Sequence, residues 1–336
     1  GREVPSQTLK IDLKGAGLRM AKLYIQDLTE GTKFQSIFLL TQRQLKPFAN
    51  KPGFFMLGTL TDKTGSIGAV FWEAGESVTE IPEESVVRVS GQVGIYKGER
   101  QIAIESIMPC SETEYDPADL LPTTPKDIGK MAVEFESVLA EIPTGPLRRL
   151  LDVFFSDDIL RRQFYRWPAA KLHHHPYVGG LLEHTLGVLT VCSTLADTYL
   201  NLDRHLLLTG AILHDIGKLK EFKVGASISI SDEGRLLGHI PIGHRMVEER
   251  LDRLGDFPAE LRMRLLHMII AHHGELENGS PQRPQTIEAM ALYLADNLDA
   301  QLWKFGRAAR EASSNGKLWT EWDKSLERFI FLGSRG

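Results

Sequence analysis

The stretch Ala211-Ile212-Leu213-His214-Asp215-Ile216-Gly217-Lys218 decides how the C-terminal half is read. An apolar run from Leu206 to Leu213 ends abruptly on an imidazole and a carboxylate, and glycine and lysine follow. Consecutive residues on a regular helix point about 100° apart, so His214 and Asp215 reach one cation only where the helix ends or bends. Imidazole nitrogen with carboxylate oxygen is a donor set for Mn²⁺, Fe²⁺, Zn²⁺ or Mg²⁺. Taken alone, the pair is equally a helix-terminal histidine capped by an acid.

The surroundings favour the donor set. His184 stands in Gly180-Leu181-Leu182-Glu183-His184-Thr185, and Asp296 in Tyr293-Leu294-Ala295-Asp296-Asn297-Leu298-Asp299, both on largely apolar segments. Leu181, Leu182, Thr185, Leu186 and Leu189 recur at three- and four-residue spacing, as do Leu261, Leu265, Met268, Ile269 and His272, so both segments read as helices. Gly274 fits the position just past the end of the second. A carboxylate buried on such a face is costly unless it is paired or ligates a metal. His239 and the pair His272-His273 add nitrogen donors. All eleven histidines lie between His173 and His273, where even scatter would place about three.

The rest of the chain sets the frame. Its 336 residues suggest two domains at about 150 residues each. With 42% hydrophobic, 25% charged and 8% aromatic residues, the chain is neither disordered, collagenous nor a disulfide scaffold. No apolar run approaches the roughly 20 residues of a membrane span, so no membrane role is expected, and the first 25 residues carry no secretory core. Two cysteines, Cys110 and Cys192, fit a reducing, cytoplasmic setting. The net charge of −5 argues against a generally basic nucleic-acid coat protein but leaves room for a local basic groove.

Residues 20–110 have a different texture. Phe54–Leu60, Ile67–Trp72, Val86–Val93 and Gln101–Ile104 read as strands, with turns at Thr61–Ser66 and Tyr96–Arg100. Short strands at such spacing suggest a small barrel or sandwich. Residues 111–127, acidic and proline-bearing, read as a linker, and helical periodicity holds from 128 to 336. Residues 1–19 are an unassigned extension, and a start at Gly1-Arg2-Glu3 reads as a tag remnant or trimmed terminus.

The order His184, His214-Asp215, Asp296 resembles the HD superfamily of metal-dependent phosphohydrolases, and His239 with His272-His273 resembles its binuclear branch. The resemblance goes further. His174-His175-Pro176-Tyr177-Val178-Gly179-Gly180-Leu181-Leu182-Glu183-His184-Thr185, Leu213–Lys218, Gly238-His239-Ile240, His272–Pro281 and Asp296-Asn297-Leu298-Asp299-Ala300 look like the YhaM-type 3′→5′ exoribonucleases. That family joins an N-terminal OB-fold to an all-helical HD domain. The resemblance implies a two-domain fold, β then α, with an OB-type barrel at 20–110 and the HD domain at 128–336. It also implies two divalent ions, Mn²⁺ first, with Fe, Mg, Zn or Co as other candidates. His184, His214, Asp215 and Asp296 would hold one ion, and Asp215, His239, His272 and His273 the other, with Asp215 bridging. The cyclic-dinucleotide phosphodiesterases of the branch carry Gly-Tyr-Pro after the paired histidines, whereas this chain has Gly279-Ser280-Pro281, so that activity is not implied.

A phosphodiester resists attack because its oxygens are negative. Metal ions offset that charge and lower the pKa of bound water toward about 7, supplying a hydroxide nucleophile. Asp215 is therefore the central catalytic candidate. Lys218 is placed to meet a phosphate oxygen, and His174 and His175 to bind the phosphate or protonate a leaving oxygen. Asp299 shares the face of Asp296 and is the reserve ligand. An OB-fold holds single strands on aromatic platforms in a positive groove, and strand alternation leaves one of each adjacent aromatic pair for that task. The candidates are Phe55, Trp72, Tyr96, Lys97 and Arg100. The expected activity is 3′→5′ hydrolysis of single-stranded RNA, with single-stranded DNA as a further substrate. The competing readings are a phosphohydrolase acting on a nucleotide or cyclic nucleotide, and a non-catalytic RNA-binding adaptor with a structural metal. The apolar tail with Trp319, Trp322, Phe329 and Phe331 is expected to dock on its own domain or on a second copy in a homo-oligomer.

Overall fold

This computed structural model describes residues 22–48, 50–72, 78, 81–171, 174–225, 227–312 and 318–333. The extension 1–19 and His173 lie outside the described residues. The chain divides into two compact units, with the main boundary between Pro122 and Thr123 and the short segment Gly225–Ser227 grouped with the first.

The first unit is a closed five-stranded barrel. Its strands are β1 (Lys33–Pro47), β2 (Phe54–Asp62), β3 (Gly65–Phe71), β4 (Ser85–Tyr96) and β5 (Glu99–Pro109). They close in the order β1-β2-β3-β5-β4. All pairings are antiparallel except β3 with β5, where Gly68 lies opposite Gln101 and Val70 opposite Ala103. Alternation drives the closure. Phe38, Leu40, Met56, Leu60, Val87, Val89, Val93 and Ile102 point inward and are buried. Strand β1 escaped the strand reading, although Phe34, Ser36, Phe38 and Leu40 are buried at strict two-residue spacing. It is the strand that pairs with both β2 and β4. The expected linker carries structure of its own: Tyr115 and Leu120 pack with Val86 beside Ile37 and Cys110, and Asp116 caps a 3₁₀ turn at Pro117–Asp119.

The second unit is built from helices α1 (Ile128–Glu141), α2 (Pro146–Phe155), α3 (Asp158–Arg166), α4 (Gly180–Thr198), α5 (Arg204–Leu213), α6 (Lys218–Glu221), α7 (Asp232–Leu237), α8 (His239–Leu254), α9 (Ala259–Ala271) and α10 (Ile287–Ala312). Asp127, Asp157, Asp203 and Ser231 cap α1, α3, α5 and α7 by accepting from backbone N–H groups of the first turn, which satisfies donors the helix itself cannot. One core runs through the unit, with Phe135, Phe154, Phe164, Leu181, Leu206, Ile212, Ile216, Leu265, Met268 and Leu292 fully enclosed. Helix α4 packs on α5 and α10, and α9 packs on both α5 and α10. A short hairpin, β6 (Phe222–Val224) with β7 (Ile228–Ile230), departs from the all-helical expectation. Its three-residue strands are too short to stand out from helical sequence. In the tail, Leu326 and Ile330 pack with Phe305 and Ala308 of α10. Trp319 pairs with Phe331 and Trp322 with Phe329, and all four rings stay about half exposed.

Candidate metal centre and nucleic-acid face

The helix packing brings the polar residues together. His184 lies in the second turn of α4, His214 caps the C-terminus of α5, and Asp215 follows in the turn to α6. His239 opens α8, His272 caps α9, and Asp296 lies within α10. Gly217 makes the approach of α8 feasible. A Cβ at that position would sit 2.0 Å from the His239 carbonyl oxygen, so any larger residue would push His239 away from Asp215.

Among the described residues three groups of possible ligands result: one of His175, His184 and Asp299, and two more that face Asp215. His184, His214 and Asp296 place one ligand atom each within 4.8 Å of one another, as do His239, His272 and His273. Asp215 stands between them. Its Oδ2 lies 3.5 Å from His184 Nε2 and 3.3 Å from His214 Nε2. Its Oδ1 lies 3.5 Å from His239 Nε2 and 3.8 Å from His272 Nε2.

The second nitrogen of His214, His272, His273 and His184 is tied down by a hydrogen bond. His214 Nδ1 donates to the Ala211 carbonyl (2.8 Å), His272 Nδ1 to that of Ile269 (2.6 Å) and His273 Nδ1 to that of Asn278 (3.0 Å). His184 Nδ1 donates to Asp299 Oδ2 (2.7 Å), and His239 Nδ1 is 3.5 Å from Glu221 Oε2. Such anchoring fixes the tautomer and leaves Nε2 of His214 and His272 as a lone pair.

Whether a divalent ion fits can be tested on these atoms. His184 Nε2 is 3.1 Å from Asp296 Oδ1 and 3.2 Å from His214 Nε2, and the His214–Asp296 separation is 3.9 Å. Four ligands held tetrahedrally at about 2.1 Å would be about 3.4 Å apart, which the observed spacings bracket. Asp215 Oδ1, His239 Nε2 and His272 Nε2, which face one another, are buried without hydrogen-bond partners. Orphaned buried acceptors of this kind are costly, and a cation relieves them together. The residues fit.

The charges are consistent with this. Burial works to raise Asp215, yet Lys218 and His214 beside it hold it well below the usual carboxylate range. Burial likewise works against Asp296, and the hydrogen bond with His184 holds it low. Burial would push His184 down, but hydrogen bonds to Asp296 and Asp299 outweigh it and raise it to about 9. His272 and His273 are pushed down, by burial first and then by neighbouring imidazoles, so both stay neutral.

The remaining site candidates fall into place differently. Lys218 is buried with its Nζ 2.5 Å from Asp215 Oδ2, so it neutralises that carboxylate. His174 lies beside His184, ring centroids 5.0 Å apart, and burial, with Lys218 and His184 nearby, pushes it down to about 2. It is a neutral ring whose Nε2 is buried without a hydrogen-bond partner, which does not suit donation of a proton from an imidazolium. The catalytic assignment of His175 is corrected. It is buried, with Nδ1 2.7 Å from the Tyr177 hydroxyl and Nε2 3.2 Å from Asp299 Oδ2, so neither nitrogen is free for substrate. Asp299, the reserve ligand, sits on the Nδ1 side of His184, away from the Nε2 side that faces Asp215 and Asp296. His244 and His267 are engaged elsewhere, with Glu248 and the Gln285 amide.

On the barrel, Phe55 and Trp72 lie 5.2 Å apart and share a cluster with Phe48, which stacks on Trp72 at 6.4 Å and carries Lys51 Nζ 4.2 Å above its ring. Phe48 was missed. The flanking Lys46-Pro47 and Lys51 were its only sequence signal. Tyr96 and Lys97 project from the β4–β5 hairpin, with Lys97 Nζ 5.5 Å from the Tyr96 ring centroid. Arg100 donates to the Leu28 carbonyl and so braces the barrel as well as adding charge.

Comparison with known proteins agrees with both units. The HD domain family matches residues 181–301, and the OB-fold nucleic acid binding domain family matches residues 49–109. A solved structure, the second OB-fold domain of replication protein A from Methanococcus maripaludis, covers 27% of this chain and 96% of its own at 22% identity. Its TM-score of 0.23 leaves the family matches as the ground for the fold assignment. The 3′-5′ exoribonuclease YhaM of Bacillus subtilis (strain 168) is 35% identical over 274 residues, 81% of this chain and 86% of the relative. The YhaM of Geobacillus sp. (strain WCH70) is 33% identical over 81% of this chain and 84% of its own. At that identity and coverage, with both domains matched, the chain belongs to the YhaM family of 3′-5′ exoribonucleases.

Proposed function

We propose that this chain is a metal-dependent 3′→5′ exoribonuclease that hydrolyses the terminal phosphodiester of single-stranded RNA, and that it also accepts single-stranded DNA. The observation that carries this reading is Asp215, whose two oxygens face two separate imidazole groups. His184, His214, Asp215 and Asp296 would hold one divalent ion, and Asp215, His239, His272 and His273 a second. Mn²⁺ is the first candidate for this mixed nitrogen–oxygen shell. Bound ions of this kind offset phosphate charge and make water nucleophilic near neutral pH.

The chain's own residues do the rest. Lys218, paired with Asp215 Oδ2, sets a positive charge beside the centre. His174, a neutral ring beside His184, is a further candidate for contact with the phosphate. The Phe48–Phe55–Trp72 cluster and Tyr96 give π-faces on which bases stack without sequence preference, and Lys51 and Lys97 attract the backbone. Two free cysteines, Cys110 and Cys192, support a cytoplasmic setting, and among the described residues no helix is long and apolar enough to cross a membrane. A row of exposed apolar residues along α10, Ile287, Met290, Leu294, Leu298 and Leu302, supports self-association, because monomers seldom leave such a stripe bare.

Single-stranded RNA labelled at the 5′ end, incubated with the protein and Mn²⁺, tests the reading. The expected result is a ladder shortening from the 3′ end with release of mononucleotides. Intact RNA alongside turnover of free or cyclic nucleotides would overturn it, as would RNA binding with no turnover.

A further inference from the structure

His184 is held from both sides. Its Nε2 faces Asp215 and Asp296, while its Nδ1 donates to Asp299 Oδ2 at 2.7 Å. The same Asp299 oxygen lies 3.2 Å from His175 Nε2. His175 Nδ1 is 2.7 Å from the Tyr177 hydroxyl, which donates to Glu183 Oε2 at 2.9 Å and accepts from Trp303 Nε1 at 3.3 Å. Glu183 Oε2 also accepts from the Thr124 hydroxyl at 2.6 Å, and its Oε1 lies 3.3 Å from Lys126 Nζ. The result is one continuous polar chain inside the helical unit, running from residues 124–126 to the ring of His184.

The fold makes room for it. A Cβ on Gly187 of α4 would sit 2.2 Å from Asp299 Oδ1, so glycine there is what lets the carboxylate reach the imidazole. His175 has a left-handed backbone, φ 50°, which a non-glycine residue adopts only when its surroundings impose it.

We infer that Asp299 and His175, seated by Gly187 and backed by Tyr177 and Glu183, form a clamp that orients His184 toward the ion. The inference rests on reading His184 as a metal ligand. Asp299 acts through His184 and is a positioning residue. A third ion among His175, His184 and Asp299 is disfavoured, because two ligands on one ion at about 2.1 Å would stand about 3.4 Å apart, whereas the Asp299–His184 separation of 2.7 Å is that of a hydrogen bond. Anchoring carboxylates behind ligating histidines typically change metal affinity by about 10- to 100-fold.

Mn²⁺ titration of the full chain, read by electron paramagnetic resonance of the free ion, tests this alongside the melting temperature without metal. Asp299→Ala and Gly187→Ala should each weaken Mn²⁺ binding by about tenfold or more while the metal-free protein still melts cooperatively. Asp299→Asn keeps an acceptor oxygen for His184 Nδ1 and should bind close to wild type. Unchanged affinity in both Asp299→Ala and Gly187→Ala would overturn the clamp while leaving the metal centre intact. An Asp299→Asn variant as impaired as Asp299→Ala would overturn it too, since that pattern marks a direct ligand. Wild-type protein that takes up no Mn²⁺ would overturn the metal-centre reading and the clamp together.

Discussion

At the scale of single residues, the centre is a matter of which nitrogen faces where. His184, His214, Asp215, His239, His272, His273 and Asp296 were legible in the sequence because each is a polar group set into apolar helical surroundings, and the structure brings all seven together. The roles of His175 and Asp299 were not legible. Helical spacing tells which face a residue shares, but not which ring nitrogen is used up inside. Lys218 lay in the quoted motif, yet its partner is Asp215 rather than open solvent. Breaking a buried pair from one side typically costs about 3–5 kcal/mol. Lys218→Met should therefore lower the melting temperature of the metal-free protein sharply, and saturating Mn²⁺ should close most of the gap to wild type by offsetting Asp215. A gap that metal leaves unchanged in calorimetry would mean that Asp215 meets no ion.

At the scale of elements, α5 delivers His214 and Asp215 because it stops at Leu213, and α8 delivers His239 because Gly217 lets it come close. The terminated apolar run was readable. The close approach was not, since nothing in a sequence tells which backbone a glycine faces. Strand β1 and the β6–β7 hairpin were passed over for opposite reasons. The first carries its alternation into a long polar second half, and the second is only three residues a side. The 111–127 segment has a linker's composition, but Tyr115 and Leu120 give it an apolar anchor. Gly217→Ala would place a methyl group against the His239 carbonyl and should cost about 1–3 kcal/mol, together with a fall in Mn²⁺ stoichiometry. Full stoichiometry at wild-type stability would contradict the role given to α8.

At the scale of the whole molecule, the sequence separated a β-textured first part from a helical second part. The confinement of every histidine to residues 173–273 placed the chemistry in the second. A net charge of −5 supplies no overall attraction for nucleic acid, so the stacking faces proposed on the barrel carry a testable share of strand holding. Trp72→Ala should raise the KM for long single-stranded RNA by roughly fivefold or more, as loss of one stacked base would, with kcat near wild type. An equal loss of kcat would contradict a purely binding role. Replacing Leu294 and Leu298 of α10 with Glu should shift the sedimentation mass to that of a monomer if the stripe joins copies, and an unchanged mass would remove it as an interface. The most direct measurement is single-turnover cleavage of 5′-labelled single-stranded RNA with Mn²⁺ by wild type and by Asp215→Asn. Wild type should shorten the strand from its 3′ end, while the variant, folded but unable to serve both imidazole groups, should fall at least about a hundredfold. Cleavage by Asp215→Asn within tenfold of wild type would contradict a centre organised around Asp215.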